Sequence, residues 1–266
     1  MLAAMRQAKI LEEVRRTGGA RVTHLTALLG VSDMTVRRDL EALDRKGLLS
    51  KVHGGATAMD TASAIEPGFE VTSQREVSEK EAIAIRAATL IRPGMAIAIT
   101  AGSTTWTLAR HLGDIANLTV VTNSLKVAEV LNARQRPDLT VVLTGGLRTP
   151  SDGLVGPVAV QAIRSLHVDM VIMGVHGIDE RAGLTTPNLL EAETNRALVE
   201  SARRLVVVAD HTKWGVVGLA QIAPLSAVTT LLTDDRLPAE AAQVLAEQVA
   251  EVIIIPTESA EHPDED

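Results

Sequence analysis

A chain of 266 residues with a formal net charge of −7 is long enough for one full hydrophobic core and a smaller second domain. The absence of cysteine excludes disulfide frameworks and thiolate metal sites, and Phe69, Trp106 and Trp214 are too few aromatics for a single-strand stacking platform. No uninterrupted apolar run reaches the length of about 18 residues that suggests a membrane span, and no signal-peptide pattern opens the chain, which points to a cytoplasmic protein. The charge is unevenly spread. Residues 1–58 hold ten Lys/Arg against six Asp/Glu, whereas the remainder holds 16 against 27. A basic front on an acidic body suits a DNA-binding head joined to something else.

In chain order, Ile10, Leu11 and Val14 place a short apolar stripe on a first helix, which Gly18-Gly19 breaks. Val22 to Leu29 reads as a second helix with Leu25, Leu28 and Leu29 inward, and Gly30 suits the left-handed residue that closes it. Ser32 then caps a third helix on which Val36, Leu40 and Leu43 share one stripe. At about 100° per residue, Met34 and Arg38 point the opposite way, flanked by Thr35 and Arg37. The tight Leu29–Ser32 join gives helix-turn-helix geometry, with the polar face of the third helix offered to the major groove. A solvated amphipathic helix would show the same stripe. After Gly47, the run Leu48–Ala56 ends in a Gly-Gly turn and reads as a wing with Lys51 and His53 near a phosphate backbone. Ser32, Met34, Thr35, Arg37, Arg38, Arg45, Lys51 and His53 form the candidate DNA-contacting set.

The segment VSDMTVRRDLEALDRKGLLSKVHGGA resembles the N-terminal signature of the DeoR family of bacterial transcriptional regulators. The VS, RRDL, GLL and HGGA elements stand at that family's spacing. Arg21 departs from it, because Ser or Thr often caps the second helix there.

Residues 58–77 lose periodicity around Pro67-Gly68 and read as a linker, so the winged helix-turn-helix domain is assigned to 1–57. From Ser78 to residue 256, helical segments alternate with short apolar runs. Strands are expected at Met95–Ile99, Leu118–Val121, Leu139–Leu143, Val168–Met173, Leu205–Val208, Val228–Leu232 and Val252–Ile255. Helices are expected at Thr105–Leu112, Ser124–Asn132, Val158–Ser165, Asn188–Arg203 and Pro238–Glu251, after a first one through Ile83 and Leu90. This is the pattern of an α/β domain with a mostly parallel sheet. The acidic, polar stretch 257–266 is expected to be disordered.

Six of these strands run into polar or glycine-rich loops, and open α/β sheets bind ligands outside the carboxyl ends of their strands. Gly102-Ser103-Thr104-Thr105 marks a strand-to-helix turn whose hydroxyls and first-turn N–H groups favour an anion, although an ordinary helix cap looks the same. Lys213 is a point charge suited to phosphate, and Asn123, Gly145 and Gly146 can supply bonds to hydroxyls. With Glu191 and Asp210 these residues describe a pocket for a phosphorylated, polyhydroxy ligand. His176 lacks a metal-ligand cluster around it, so neither metal nor cofactor is expected.

AGSTTWTLA, VVTNS, TGG, LVGP, GVHGID, GLTTPNLLEAETNRAL and ADHTKWG are similar, in order, to the sensor-domain motifs of the same family. The resemblance implies the fold of ribose-5-phosphate isomerase and CoA transferases, and a phosphorylated sugar or polyol as effector. It also implies a homo-oligomer, dimer or tetramer, and repression of a catabolic operon. Thr100 stands where many members carry Asp, so effector identity does not carry over. The competing reading is a sugar-phosphate isomerase or transferase in which Glu191, Asp210 and Lys213 form an acid/base set. A dedicated repressor accounts for the basic head as well, and the expectation is that the protein is not an enzyme.

Overall fold

The structure is a computed structural model that describes residues 2–17, 19–46, 48–52, 54–57 and 68–257. His53, residues 58–67 of the expected linker and the tail from 258 onward lie outside the described residues. The chain divides into two compact units at Ala62/Ser63.

The first unit contains α1 (Ala3–Thr17), β1 (Gly19–Arg21), α2 (Val22–Leu29), α3 (Asp33–Arg45), β2 (Ser50–Val52) and β3 (Gly55–Thr57). Ile10, Val14, Val22, Leu25, Leu29, Val36, Leu40, Leu43 and Leu49 close its core. Leu28, expected inward, is 51% exposed, and Val22 takes its place. At 100° per residue Val22, Leu25 and Leu29 share a narrow stripe while Leu28 falls beyond its edge. Gly19, read from the sequence as part of a break, opens a strand that runs to Arg21, and the sheet order β1-β3-β2 is antiparallel throughout. Gly30 closes α2 at φ 63°, its N–H donating to the Thr26 carbonyl. Arg21 gives α2 no side-chain cap. The wing does the work instead, since the Val22 N–H donates to the Gly54 carbonyl at 2.9 Å.

The second unit begins with α4 (Phe69–Ser73) and α5 (Val77–Ala88), followed by β4 (Ala96–Ile99), α6 (Ser103–Arg110), β5 (Leu118–Thr122), α7 (Leu125–Asn132) and β6 (Leu139–Leu143). A short hairpin, β7 (Leu147–Arg148) and β8 (Leu154–Val155), leads to α8 (Pro157–Arg164) and β9 (Met170–Met173). Then come β10 (Gly177–Asp179), β11 (Gly183–Thr186), α9 (Leu189–Ser201), β12 (Leu205–Val208), β13 (Ala220–Ala223), β14 (Thr230–Asp234), α10 (Ala239–Gln248) and β15 (Val252–Ile255). Residues from 68 onward, expected as linker as far as 77, therefore belong to the body, with Phe69 buried.

Seven strands form a parallel sheet in the order β15-β14-β12-β9-β4-β5-β6. Its strands are apolar runs because both faces are covered. In β12, Leu205 and Val207 pack into the core under α8, α9 and α10, while Val206 and Val208 pack under α5, α6 and α7. The chain moves outward from β4 through β5 to β6, then returns to the other side of β4 and proceeds through β9, β12, β14 and β15. Right-handed crossovers in opposite directions put the connecting helices on opposite faces. That reversal lies between the carboxyl ends of β4 and β9, which is where open α/β sheets take their ligands. A second, antiparallel sheet, β10-β11-β13, packs over the α9 face, with Ile178, Leu184 and Ile222 joining that core.

Candidate DNA interface and ligand crevice

In the head, Ser32 caps α3 as its sequence requires: Oγ accepts the Thr35 N–H at 3.3 Å. Val36, Leu40 and Leu43 are buried, and so is Asp39, which accepts from Arg6 Nε at 2.7 Å and Gln7 Nε2 at 3.2 Å. Met34, Arg37, Arg38 and Arg45 are exposed and Thr35 half-buried, so the expected outward face is the outward face. The cations on it differ. Arg37 is drawn back to Asp33, four residues earlier, at 2.9 Å. Arg45 donates to the Glu41 carbonyl. Lys51 Nζ lies 2.6 Å from Glu41 Oε1, which holds the Glu41 carboxyl below its usual range through that hydrogen bond. Arg38 alone of these four makes no hydrogen bond or ion pair with its side chain among the described residues.

In the body, Thr100 follows β4 at the reversal point. Its Oγ1 accepts the Gly174 N–H at 3.1 Å and ties the ends of β4 and β9 together. Gly102 then turns the chain into α6 at φ 155°, where a Cβ would stand 3.2 Å from Thr105 Oγ1. No side chain caps α6, and Ser103, Thr104 and Thr105 are buried in its first turn. Uncapped first-turn N–H groups carry the positive end of the helix dipole.

Asn123 holds this loop in place. Its Oδ1 accepts the Ala101 N–H at 2.9 Å, and its Nδ2 donates to the Leu154 carbonyl at 3.2 Å. The side chain is buried, with its carbonyl and one N–H used internally. Gly145 and Gly146 adopt φ 72° and 122°, and a Cβ on Gly146 would stand 2.5 Å from the Val155 carbonyl oxygen. Their geometry serves the close approach of β7 to β8. Glu191 accepts from Thr186 Oγ1 at 2.8 Å in the first turn of α9, which Asn188 caps.

Asp210 is buried after β12 and accepts from the N–H and hydroxyl of Thr212, starting the short 3-10 turn His211–Lys213. Within it, His211 Nδ1 lies 2.8 Å from Asp234 Oδ1 and the His211 N–H donates to Oδ2 at 2.7 Å. The Asp234 hydrogen bond raises the imidazole pKa above its ordinary value. Burial pushes the Asp234 carboxyl upward, but hydrogen bonds from His211 and the Arg236 N–H outweigh it and leave the pKa lowered. Lys213 is half-buried, and its ammonium has no partner among the described residues. The β4 and β12 ends flank β9, two strand spacings or about 10 Å apart. The structure thus brings Gly102–Thr105, Asp210 and Lys213 to one rim and places Gly145-Gly146 at the far edge strand.

Sequence reasoning missed Lys80. It is buried on α5, its Nζ donates to the Thr72 carbonyl at 2.7 Å and to that of Arg75, and burial lowers its pKa to about 8. Asp210 and Lys213 are the charges felt most strongly there, the first raising and the second lowering that value. The signal was present in the sequence, since Lys80, Ile83, Ala84 and Ala87 recur at i, i+3, i+4 and i+7. No group of three His, Asp or Glu side chains among the described residues is arranged to hold a metal ion.

A helix-turn-helix in one unit and an α/β body whose strand order reverses between β4 and β9 in the other define the class of a DNA-binding regulator that carries its own sensing domain. Residues 6–62 match the DeoR-like helix-turn-helix domain and residues 75–235 the DeoR C-terminal sensor domain. The chain belongs to the DeoR family of transcriptional regulators.

It is 36% identical over 233 residues to the HTH-type transcriptional regulator GolR of Listeria innocua, covering 87% of this chain and 91% of that one. It is 34% identical to the HTH-type transcriptional repressor CsqR of Escherichia coli, covering 96% of each. It is 32% identical to the glycerol-3-phosphate regulon repressor of Escherichia coli over 93% of this chain and 97% of that one. Among solved structures, ribose 5-phosphate isomerase A of Methanocaldococcus jannaschii matches 51% of this chain and 53% of that chain, with a TM-score of 0.36 and 18% identity. The translation initiation factor eIF-2B of Pyrococcus horikoshii matches 87% and 82%, with a TM-score of 0.41 and 15% identity. No described helix is long and apolar enough to cross a membrane.

Proposed function

We propose that the chain is a repressor of a carbohydrate catabolic operon, released from its operator by a phosphorylated sugar or polyol bound in the β4/β9 crevice. The observation that carries this is Lys213: a half-buried ammonium without a partner among the described residues, on the same rim as the uncapped start of α6. A helix N-terminus and a point cation together suit a phosphate. The name of the glycerol-3-phosphate regulon repressor supports a ligand of this class. On the head, α3 enters the major groove with Met34, Thr35 and Arg38 toward base edges, while Ser32, Arg37, Arg45, Lys51 and His53 attend the backbone. One such head reads few base pairs, so the working unit is a dimer or tetramer joined through the body. It acts in the cytoplasm, where the DNA is.

Catalysis is not part of this reading. The Asp210 carboxylate is taken by Thr212 and that of Glu191 by Thr186, which leaves the supposed acid/base set committed to local structure. A thermal-shift screen of phosphorylated sugars and polyols tests the effector, because a ligand of the folded state raises the melting temperature by mass action. The hit should release an operator selected from random duplexes by the full-length protein. Lys213→Ala should bind that operator normally and ignore the hit. Arg38→Ala should lose roughly 1–3 kcal/mol of discrimination at one operator position. Turnover of ribose 5-phosphate by the purified protein would instead establish the isomerase reading.

A further inference from the structure

Helix α4 is the first described element of the body after the head, and it is held at three points. Phe69, buried, meets Trp106 edge-to-face with ring centroids 5.6 Å apart at 88°. Trp106 is backed by the Arg110 guanidinium, 4.7 Å from its ring centre. The Phe69 N–H donates to the Pro150 carbonyl at 3.2 Å, in the turn between β7 and β8. At the other end of α4, the Lys80 ammonium donates to the carbonyls of Thr72 and Arg75.

Each of these holds runs to a different part of the crevice. Trp106 directly follows the Gly102–Thr105 turn, and its N–H donates to the Gly102 carbonyl at 2.9 Å. The β7–β8 turn rests on the same loop from the other side. A Cβ on Gly153 would stand 3.1 Å from that of Ala101, and Asn123 bonds both Ala101 and Leu154. Lys80 feels Asp210 and Lys213 more than any other charges. The body's one phenylalanine and a buried lysine, both costly to place, are thus spent on a five-residue helix. A helix that short has no stability of its own. Its position is set by these contacts, so whatever moves them moves it.

We propose that α4 is the output element of the body, with Phe69 and Lys80 as positioning residues that convert filling of the crevice into a change in the chain leading to the head. The inference rests on the effector reading of the crevice. An anion settling between Lys213 and the start of α6 offsets the repulsion between Lys213 and Lys80, and strengthens the hold of the Lys80 ammonium on α4. It also fixes the Gly102 turn on which Trp106 depends. Coupling follows if the ligand prefers one arrangement of these contacts over another.

The test uses the full-length protein, an operator fragment selected by it, and two probes, inorganic phosphate and glycerol 3-phosphate at millimolar concentration. Calorimetry reads probe binding, and anisotropy reads operator affinity. Wild type should bind a probe and lose operator affinity by at least about fivefold. Phe69→Ala should bind the same probe within about threefold of wild type, and Lys80→Met, which also loses a charge near Lys213, should bind it more weakly; at saturating probe the operator affinity of both should move less than about twofold. Phe69→Tyr, which keeps the ring, should restore most of the response. A folded variant of either residue that binds the probe and releases operator by the wild-type factor overturns the proposal. So does loss of probe binding in both, which would make these residues plain supports of the crevice. Failure of wild type to bind either probe removes the effector reading itself, and this inference with it.

Discussion

Asp39, buried on the inner side of α3, accepts hydrogen bonds from Arg6 Nε at 2.7 Å and Nη2 at 3.3 Å, locking the first helix to the recognition helix. Removing Arg6 leaves a buried carboxylate with the Gln7 amide as its nearest remaining donor. Breaking such a pair costs about 3 kcal/mol, a large share of what a head of this size can hold. Arg6→Ala should therefore loosen the head while the body stays folded. Both tryptophans lie in the body, so fluorescence will be blind to this. Amide exchange in α1 and α3 should rise by about two orders of magnitude at that cost, against no change in β9 or β12. Equal exchange in the two proteins would show that the pair contributes nothing.

On the outer side of the same helix, the ion pair of Glu41 with Lys51 changes what Lys51 can do for DNA. A phosphate must displace Glu41 before it reaches Nζ. Glu41→Gln frees Lys51 and removes a negative charge from the interface. It should tighten binding to operator and random duplex alike, by roughly three- to tenfold at low salt, with a steeper salt dependence. Lys51→Ala alone should weaken both less than an unpaired lysine would. If Glu41→Gln leaves random-duplex affinity unchanged, the wing does not approach the backbone.

The wing also depends on a glycine at one position and not on its neighbour to the same degree. A Cβ on Gly55 would stand 2.3 Å from the Ala20 carbonyl oxygen, a backbone atom of the paired strand β1. Gly54 has open space around it and only a positive φ of 82°. Gly54→Ala should thus cost about 1 kcal/mol in conformational strain. Gly55→Ala must push β1 and β3 apart, which also takes the Gly54 carbonyl from the start of α2. Its cost should exceed about 2 kcal/mol, and it should abolish DNA binding. A variant Gly55→Ala that melts with wild type would overturn the β1–β3 register.

These contrasts mark what could be read from the residues alone. The strands β9 and β12 were legible because Met170–Met173 and Leu205–Val208 are unbroken apolar runs, as burial on both faces demands. The antiparallel sheet was not, because Gly177–Asp179, Gly183–Thr186 and Ala220–Ala223 are short, rich in small or polar residues and without alternation. Helix α4 was lost because five residues cannot show a helical period. The crevice loops were legible by their position after strands. Their internal economy was not: Asn123 looks the same in sequence whether it meets a ligand or, as here, the Ala101 N–H. Asp39 likewise reads as polar surface until Arg6, 33 residues away, is placed over it.

The His211–Asp234 pair gives the body a measurable pH signature. The His211 pKa lies above its ordinary 6.5, so its share of stability is complete below that value and is lost as pH rises through the raised one. The Asp234 pKa lies below its ordinary 3.8, so its share is complete above that value and is lost as pH falls through the lowered one. The pair therefore contributes most in the mildly acidic window between. There, His211→Asn should cost about 2 kcal/mol, the loss of an ion pair with a buried carboxylate. Melting curves of both proteins from pH 4 to 9 should converge toward the alkaline end. A gap independent of pH would mean that His211 acts through packing alone.

Lys80 should produce the opposite slope at higher pH. Burial is the largest influence on its ammonium and lowers the pKa; Asp210 and Glu76 favour the charged form, Lys213 and Arg75 side with burial, and the balance sets the pKa at about 8. In the unfolded chain the amine returns to about 10.5. Below about pH 8 both states are protonated, and the folded protein bears the full cost of the buried charge. Between about 8 and 10.5 the folded state releases its proton first, so the unfolded state binds more protons and stability rises with pH. At about 1.4 kcal/mol per pH unit, the gain across that window is at most about 3.5 kcal/mol. Lys80→Met should remove this rising component, so that its melting temperature falls relative to wild type as pH increases from 8 to 10. An anion bound beside Lys213 should raise the Lys80 pKa and shift the wild-type rise to higher pH. A difference between wild type and Lys80→Met that stays constant from pH 7 to 10, with and without millimolar phosphate, would show that Lys80 does not titrate in this range and is not in electrostatic contact with the crevice.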